Sequence, residues 1–341
     1  MNELRKDPLL NKWVAVLSDS KPPEYYLKKI NSNCDSPVKE EESCILCQGR
    51  EHETPEELFS IRDNPYQFWH TRVIPRHNPI LGIEGELGRR AVGIYDKMNS
   101  IGANEIIVES PLHNKPPEDM GIEQMIRIIR TYLHRVSDLE KDPRFRYTLI
   151  YKDCGKLSGE LYEHPHSQVV ATPVIPKGIK DELDGAKAYY YYKERCVFCD
   201  IMNEERTIGK RIILDTEGFI VFTPFAPRFP FECWVMPKKH NCAFQEISDK
   251  EIEDLGFVLI KTLKSLKAVL NNPPYSYVVH TAPNRMPRRN HWHTLGDDFH
   301  WHIEIMPNLA AISSFERTSE FYILTTSPED AAMHLRDAAQ P

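Results

Sequence analysis

The chain has 341 residues, 41% hydrophobic and 27% charged, which is enough apolar material for two domains or one large one and excludes a disordered chain. With 43 basic against 50 acidic side chains the formal net charge is −7, which argues against coating nucleic acid or anionic lipid and points to a small partner. No run approaches the roughly 18 consecutive apolar residues of a membrane span.

The opening segment, Met1 to Trp13, lacks the apolar core and small-residue cleavage site of a signal peptide, so the chain reads as cytoplasmic. Next comes the pair Cys44-Ile-Leu-Cys47, and then an apolar strand from Glu105 that ends in His113-Asn114. A helix is predicted from about Glu118 to about Lys141, with Met125, Ile128, Ile129 and Leu133 on one face. A strand over Tyr147–Tyr151 follows, and then His164-Pro-His166-Ser-Gln168. The same order then recurs, with Cys196-Val-Phe-Cys199, a strand from Cys233 to His240, a helix opened by Ser248-Asp-Lys-Glu251, a strand from Tyr275, and His300-Trp-His302-Ile-Glu304. Ser248 and Glu251 have capping-box spacing, and that helix must stop before Asn271-Asn-Pro-Pro.

The chain is thus a duplication, with a boundary near residue 180 separating halves 1–180 and 181–341. Each half reads as strands, one long helix and a last strand, an α+β fold with largely antiparallel sheet, because no Gly-rich strand-to-helix turn marks a parallel nucleotide-binding fold. In a reducing compartment C-x-x-C pairs hold metal or do redox chemistry more often than they form disulfides. Each half supplies one Cys₂His₂ set: Cys44, Cys47, His113 and His164, then Cys196, Cys199, His240 and His300. Two zinc ions per chain are expected, and a closed shell of four ligands makes them structural.

Alternation along a strand puts His164, His166 and Gln168 on one face, with Pro165 and Ser167 on the other. If His164 holds zinc, His166 is the free imidazole, a competent nucleophile toward phosphorus because its ordinary pKa of about 6.5 leaves it mostly neutral. The amide of Gln168 is placed to donate to an anion. The segment Arg288-Arg-Asn-His-Trp-His293 reads as a polar surface connection, and His280 reads as a core histidine at a strand end.

His164-Pro-His166-Ser-Gln168, with Leu4-Arg-Lys-Asp-Pro8, Ala91 to Tyr95, Asn272-Pro-Pro-Tyr-Ser-Tyr277 and Phe315-Glu316, resembles the galactose-1-phosphate uridylyltransferase family of the histidine-triad superfamily, including its ADP-glucose phosphorylase branch. The resemblance implies duplicated histidine-triad-like units and a homodimer that shares its active sites. It implies ping-pong transfer of a nucleoside monophosphate from a nucleotide sugar, through His166, to a sugar 1-phosphate or to phosphate. It assigns catalysis to His166 and Gln168, and substrate contacts to Arg76, His77, Asn78, Asp153, Ser167 and Glu316. Nucleic acid and membrane are not among the expected partners.

Against the family pattern, Asp153 and Leu161 stand in the phosphate loop where asparagine and serine are usual, Arg76-His77-Asn78 replaces the asparagine turn at the nucleoside, and Lys21 is the sole basic residue of Asp19–Pro23. A zinc-stabilised nucleotide-binding protein without turnover is the alternative these departures keep open.

Overall fold

Runs of β-branched and aromatic residues become strands, and the computed structural model, which describes residues 1–31, 44–64, 68–113, 115–287 and 292–339, joins ten of them into one sheet. Outside it, β1 (Glu3–Lys6) and β2 (Trp13–Val16) form a hairpin that β15 (Tyr322–Leu324) joins in parallel. The large sheet takes β3 (Phe59–Arg62), β4 (Trp69–Pro75), β7 (Ala103–Val108), β8 (Tyr147–Cys154) and β9 (His166–Thr172) from the first half. From the second it takes β10 (Ile212–Asp215), β11 (Phe219–Phe222), β12 (Cys233–Pro237), β13 (Tyr275–His280) and β14 (His302–Pro307). A small hairpin, β5 (Arg90–Val92) with β6 (Tyr95–Lys97), stands apart.

The strand order is β10-β11-β12-β14-β13-β8-β9-β7-β4-β3, and every neighbouring pair is antiparallel. Read inward from either edge, the five strands of each half come in the same order. The duplication therefore closes on itself about the central β8–β13 pair.

The α-helices among the described residues are α1 (Glu24–Asn31), α2 (Pro117–Met120), α3 (Ile122–Leu139), α4 (Lys177–Lys193), α5 (Val197–Ile208), α6 (Asp249–Leu270), α7 (Leu295–Asp298), α8 (Ser314–Ser319) and α9 (Pro328–Ala339). The long helix of each half, α3 and α6, packs on the other across one face of the sheet, and α9 packs on α6. Ile128, Ile129 and Val136 meet Leu255, Val258 and Leu259 over Ile107, Val169, Val221 and Ile303, all buried in one core. Truncating one such leucine, Leu255→Ala for example, would cost about 2–5 kcal/mol.

The expected capping box at Ser248 and Glu251 is formed, and Asn271 ends α6 in the left-handed region at φ 52°. The helix expected from Glu118 is instead broken at Gly121, whose φ of 92° excludes helical continuation, so a short α2 precedes α3.

Candidate active site and metal centres

Register decides which way the H-P-H-S-Q strand faces. β9 pairs with β7 so that Val108 opposes His166, Ile107 opposes Ser167 and Ile106 opposes Gln168. Ile107 and Val169 lie in the core under the helices, and Ser167 touches Tyr132 of α3. Ile106 and Val108 belong to a separate cluster with Leu46, Trp69 and Ile74 on the far face. His166 and Gln168 therefore project away from the helices.

The imidazole of His166 is buried, and its Nδ1 lies 2.9 Å from the carbonyl of His164. A carbonyl only accepts, so Nδ1 carries the proton and Nε2 keeps its lone pair. Burial, followed by the charge of Lys152, pulls this imidazole down to about 4, so it is neutral at pH 7. Tyr162 sets the edge of its ring against it at 5.5 Å. Gln168 is buried on the same face, and its Oε1 makes no hydrogen bond. An amide oxygen only accepts, so the part of Gln168 that can donate to an anion is its Nε2 amino group.

Around this pair, β4 ends in the turn that carries Arg76, half-buried, and His77 and Asn78, exposed. Burial raises the phenols of Tyr151 and Tyr162, and the charge of Arg76 opposes the shift in both. That guanidinium thus acts on the two rings beside Gln168 and His166, since Tyr151 is the cross-strand neighbour of Gln168. Asp153 lies one step further along the same face, opposite Ser276. Burial raises its carboxyl, while a bond from Ser276 and the charge of Lys152 pull it back. The loop that follows turns at Gly155, where φ is 84° and an added Cβ would come within 2.9 Å of Pro274, so only glycine fits. Leu161 and Tyr162, with Lys156, Glu160 and Glu163, line a cavity of about 380 Å³ that reaches Cys44 and His113.

Two other expected contacts have local partners. The hydroxyl of Ser167 lies on the helix side, donating to Glu109, which leaves its backbone as the part available to a ligand. Glu316 closes the capping box of α8 with Ser313 and accepts from the N–H of Ile323 at 3.2 Å. Asn114 and residues 288–291 lie outside the described residues, and His293 is exposed.

Both Cys₂His₂ sets converge, each with its four ligand atoms within 4.8 Å of one another. Tetrahedral zinc with bonds of about 2.3 Å to sulfur and 2.0–2.1 Å to nitrogen separates S from N by roughly 3.5 Å. In the first set Cys47 Sγ lies 3.4 Å from His113 Nδ1 and 3.6 Å from His164 Nδ1, with Cys44 Sγ 3.8 Å from His164 Nδ1. In the second, Cys199 Sγ lies 3.3 Å from His240 Nδ1 and 3.5 Å from His300 Nδ1. The Nε2 atoms of His164, His240 and His300 donate to the carbonyls of Ser110, Gly296 and Pro237 at 2.7, 2.9 and 2.9 Å, which orients Nδ1 inward. The donor sets fit a zinc-type ion.

The second half repeats the strand but closes the site. His302, the counterpart of His166, is fully buried, stacked between Trp234 at 4.9 Å and His280 at 4.7 Å. Glu304 takes the place of Gln168 and is bound to Arg228. His280, which the sequence presents as a core histidine, is buried but ionic, with Nδ1 2.7 Å from Glu182 and Nε2 3.3 Å from Glu304. Burial lowers its pKa, but the two carboxylates prevail and raise it to about 10. The signal for this was the His-x-Glu alternation of the last strand.

Residues 1–176 match the profile of the galactose-1-phosphate uridyl transferase N-terminal domain, and residues 182–313 that of its C-terminal domain. The chain belongs to this family. Among relatives of the uridyl transferase family, the chain is 31% identical to ADP-glucose phosphorylase of Arabidopsis thaliana, over 99% of this chain and 93% of that protein. It is 28% identical to galactose-1-phosphate uridylyltransferase of Thermotoga maritima, over 99% and 98%. The crystal structure of the Arabidopsis thaliana ADP-glucose phosphorylase with bound ADP-glucose superposes with a TM-score of 0.81 at 29% identity, covering 99% of both chains.

Proposed function

We propose that this family member is a nucleotidyltransferase that moves a nucleoside monophosphate from a nucleotide sugar to a sugar 1-phosphate through a covalent bond to His166. The observation that carries this is the free Nε2 of His166 beside the uncommitted amide of Gln168, on a strand whose preceding histidine is a metal ligand candidate.

In the first step the Nε2 lone pair attacks the α-phosphorus. The bond to the bridging oxygen breaks, and its electron pair leaves with the sugar 1-phosphate. The ring, now positive, keeps its Nδ1 proton on the His164 carbonyl. Gln168 donates to a non-bridging oxygen as charge builds there. In the second step the acceptor phosphate attacks the same phosphorus and the P–N bond returns its pair to Nε2. Using one pocket in turn for leaving group and acceptor requires only one set of phosphate contacts.

Cys44, Cys47, His113 and His164 would hold one zinc ion and Cys196, Cys199, His240 and His300 a second, two per chain, and each ion would cross-link its loops to the strand ends. Arg76, His77, Asn78, Asp153, the Ser167 backbone and Glu316 are the substrate contacts, and the units 1–180 and 181–341 are the duplicated halves. A homodimer is supported by the exposed Val92, Ile94 and Tyr95 of the β5–β6 hairpin. Among the described residues no helix is long and apolar enough to cross a membrane and no disulfide joins the cysteines; the location proposed is cytoplasmic.

Phosphate as the acceptor is the second reading. It is favoured by the likeness to ADP-glucose phosphorylase and by the thiolate-bearing second metal set, which by resemblance belongs to that branch. The test is incubation with ADP-, UDP-, GDP- and TDP-glucose without acceptor, followed by intact mass. One attached monophosphate is expected with at least one donor, discharged by hexose 1-phosphate or by phosphate according to the reading. Absence of an adduct with all four refutes the covalent mechanism.

A further inference from the structure

Behind the nucleophile the sheet splits. β7 stays paired with β9 as far as His166, whereas the ladder between β8 and β9 ends at Tyr151 and Gln168. β8 itself continues, paired with β13 through Lys152, Asp153 and Cys154. His166 and Ser167 are therefore laddered on one side only. The cost is a His166 carbonyl without the strand partner it would otherwise have.

The ammonium of Lys152 fills that place. From the helix side of the sheet its Nζ donates to the His166 carbonyl at 2.9 Å and to Glu109 Oε2 at 2.7 Å. Both side chains are almost wholly buried, Lys152 at 3% and Glu109 at 0% exposure. Glu109 is fixed in turn by the hydroxyls of Ser167 and Tyr132, the latter at 3.1 Å, and Tyr132 by Tyr277 at 2.5 Å. A buried ion pair brings little net stability and is often matched by apolar residues of similar volume. This one sits under the single peptide group whose orientation aims the reactive ring.

We propose that Lys152, tethered by Glu109, is the positioning residue of the nucleophile: its ammonium replaces the missing ladder bond and holds the His166 peptide so that Nε2 meets the α-phosphorus in line. The inference rests on His166 being the nucleophile. A ring held from its carbonyl by Lys152 and from Nδ1 by the His164 carbonyl has both ends of its residue fixed. Releasing one lets the ring drift by the order of an ångström, which costs about 10²-fold in rate.

The experiment measures single-turnover adduct formation, with the donor among ADP-, UDP-, GDP- and TDP-glucose that labels wild-type protein. It compares wild type, the double variant Lys152→Met with Glu109→Gln, and Glu109→Asp. The double variant removes both charges together and so leaves no unpaired buried ion. Glu109→Asp keeps the pair but shortens the tether of Lys152 by one methylene, and preserves folding if the double variant does not. The expected result is a fall in the maximal adduct rate of about 10²-fold in the first and at least about tenfold in the second. The half-saturating donor concentration should stay within threefold, and metal content should be unchanged. Tyr277→Phe, which loosens the network but leaves the Lys152 bond, should lower thermal stability and keep the adduct rate within threefold. Wild-type rates in either folded charge variant, or an equal rate loss in Tyr277→Phe, overturn the positioning role. Failure of the wild type to form any adduct removes the nucleophile instead, so the two ideas fail separately.

Discussion

Gln168→Leu should raise stability while nearly abolishing chemistry. The side chain is buried and its Oε1 has no partner, so the free protein carries the desolvation of an unpaired amide oxygen, about 1–3 kcal/mol. Leucine has similar volume and no polar atom, so replacing the amide should return about 1 kcal/mol of that, read as a higher urea midpoint with an unchanged slope. In the transition state the sign reverses. A donor aimed at developing phosphoryl charge in a water-poor site is worth about 2.7–4 kcal/mol, so the adduct rate should fall about 10²- to 10³-fold. Gln168→Glu places at this position the carboxylate that the second half carries as Glu304, where Arg228 neutralises it. Next to His166 it would repel the phosphate and abolish adduct formation. Stopped-quench mass measurement gives the rates, and urea unfolding gives the stabilities. A Gln168→Leu protein that is less stable by more than 1 kcal/mol, or that forms adduct within tenfold of wild type, would show that the amide is spent on the protein rather than reserved for substrate.

His166→Ala should form no adduct and lose exchange between nucleotide sugar and labelled sugar 1-phosphate, while metal analysis stays at wild-type content because the proposed ligand is His164. Retained exchange would mean direct transfer. Cys44→Ser and Cys196→Ser should each lower bound zinc from two towards one per chain and lower the melting temperature, since a closed shell contributes to folding; unchanged metal content in either would remove that residue from its set. Glu329 ties the first strand to the last helix by accepting from Arg5 at 3.0 Å and Arg211 at 2.6 Å. Burial pushes its carboxyl up, but the two arginines prevail and its pKa is lowered. A lowered folded pKa means stability present above the ordinary carboxylate value of about 4.3 and lost as pH falls through the folded pKa. Glu329→Gln should therefore cost about 1 kcal/mol at pH 7, and the gap between the urea midpoints of variant and wild type should narrow as pH falls below the ordinary carboxylate value and through the folded pKa; a gap that stays constant throughout the acid titration would show that the ion pair is not the source.

Much of the candidate site was legible in the chain because it is local. Gln168 follows His166 by two residues, and a strand's alternation puts both on one face whatever surrounds it, whereas His164, expected on the same strand face, lies in the bend just before β9 begins at His166. The C-x-x-C pairs declare themselves by spacing, and the recurrence of the whole order after residue 180 paired each with its histidines. The capping box at Ser248 and the stop at Asn271 are equally local, and both formed as read.

What crosses the chain was not legible. His166 and His302 occupy matching places in matching strands, yet one lies beside Gln168, whose Oε1 makes no hydrogen bond, and the other is stacked shut between Trp234 and His280. No spacing rule distinguishes them, because Trp234 and His280 arrive from other strands. The parallel addition of β15 to β2 depends on contacts more than 300 residues apart in the chain. Lys152 and Glu109 look like ordinary charged residues at two strand ends. Only the divergence of β8 from β9 buries them together beneath His166, because a strand's residues state which face they take but not which neighbouring ladder will stop, and where it stops the nearest cation must serve the exposed carbonyl.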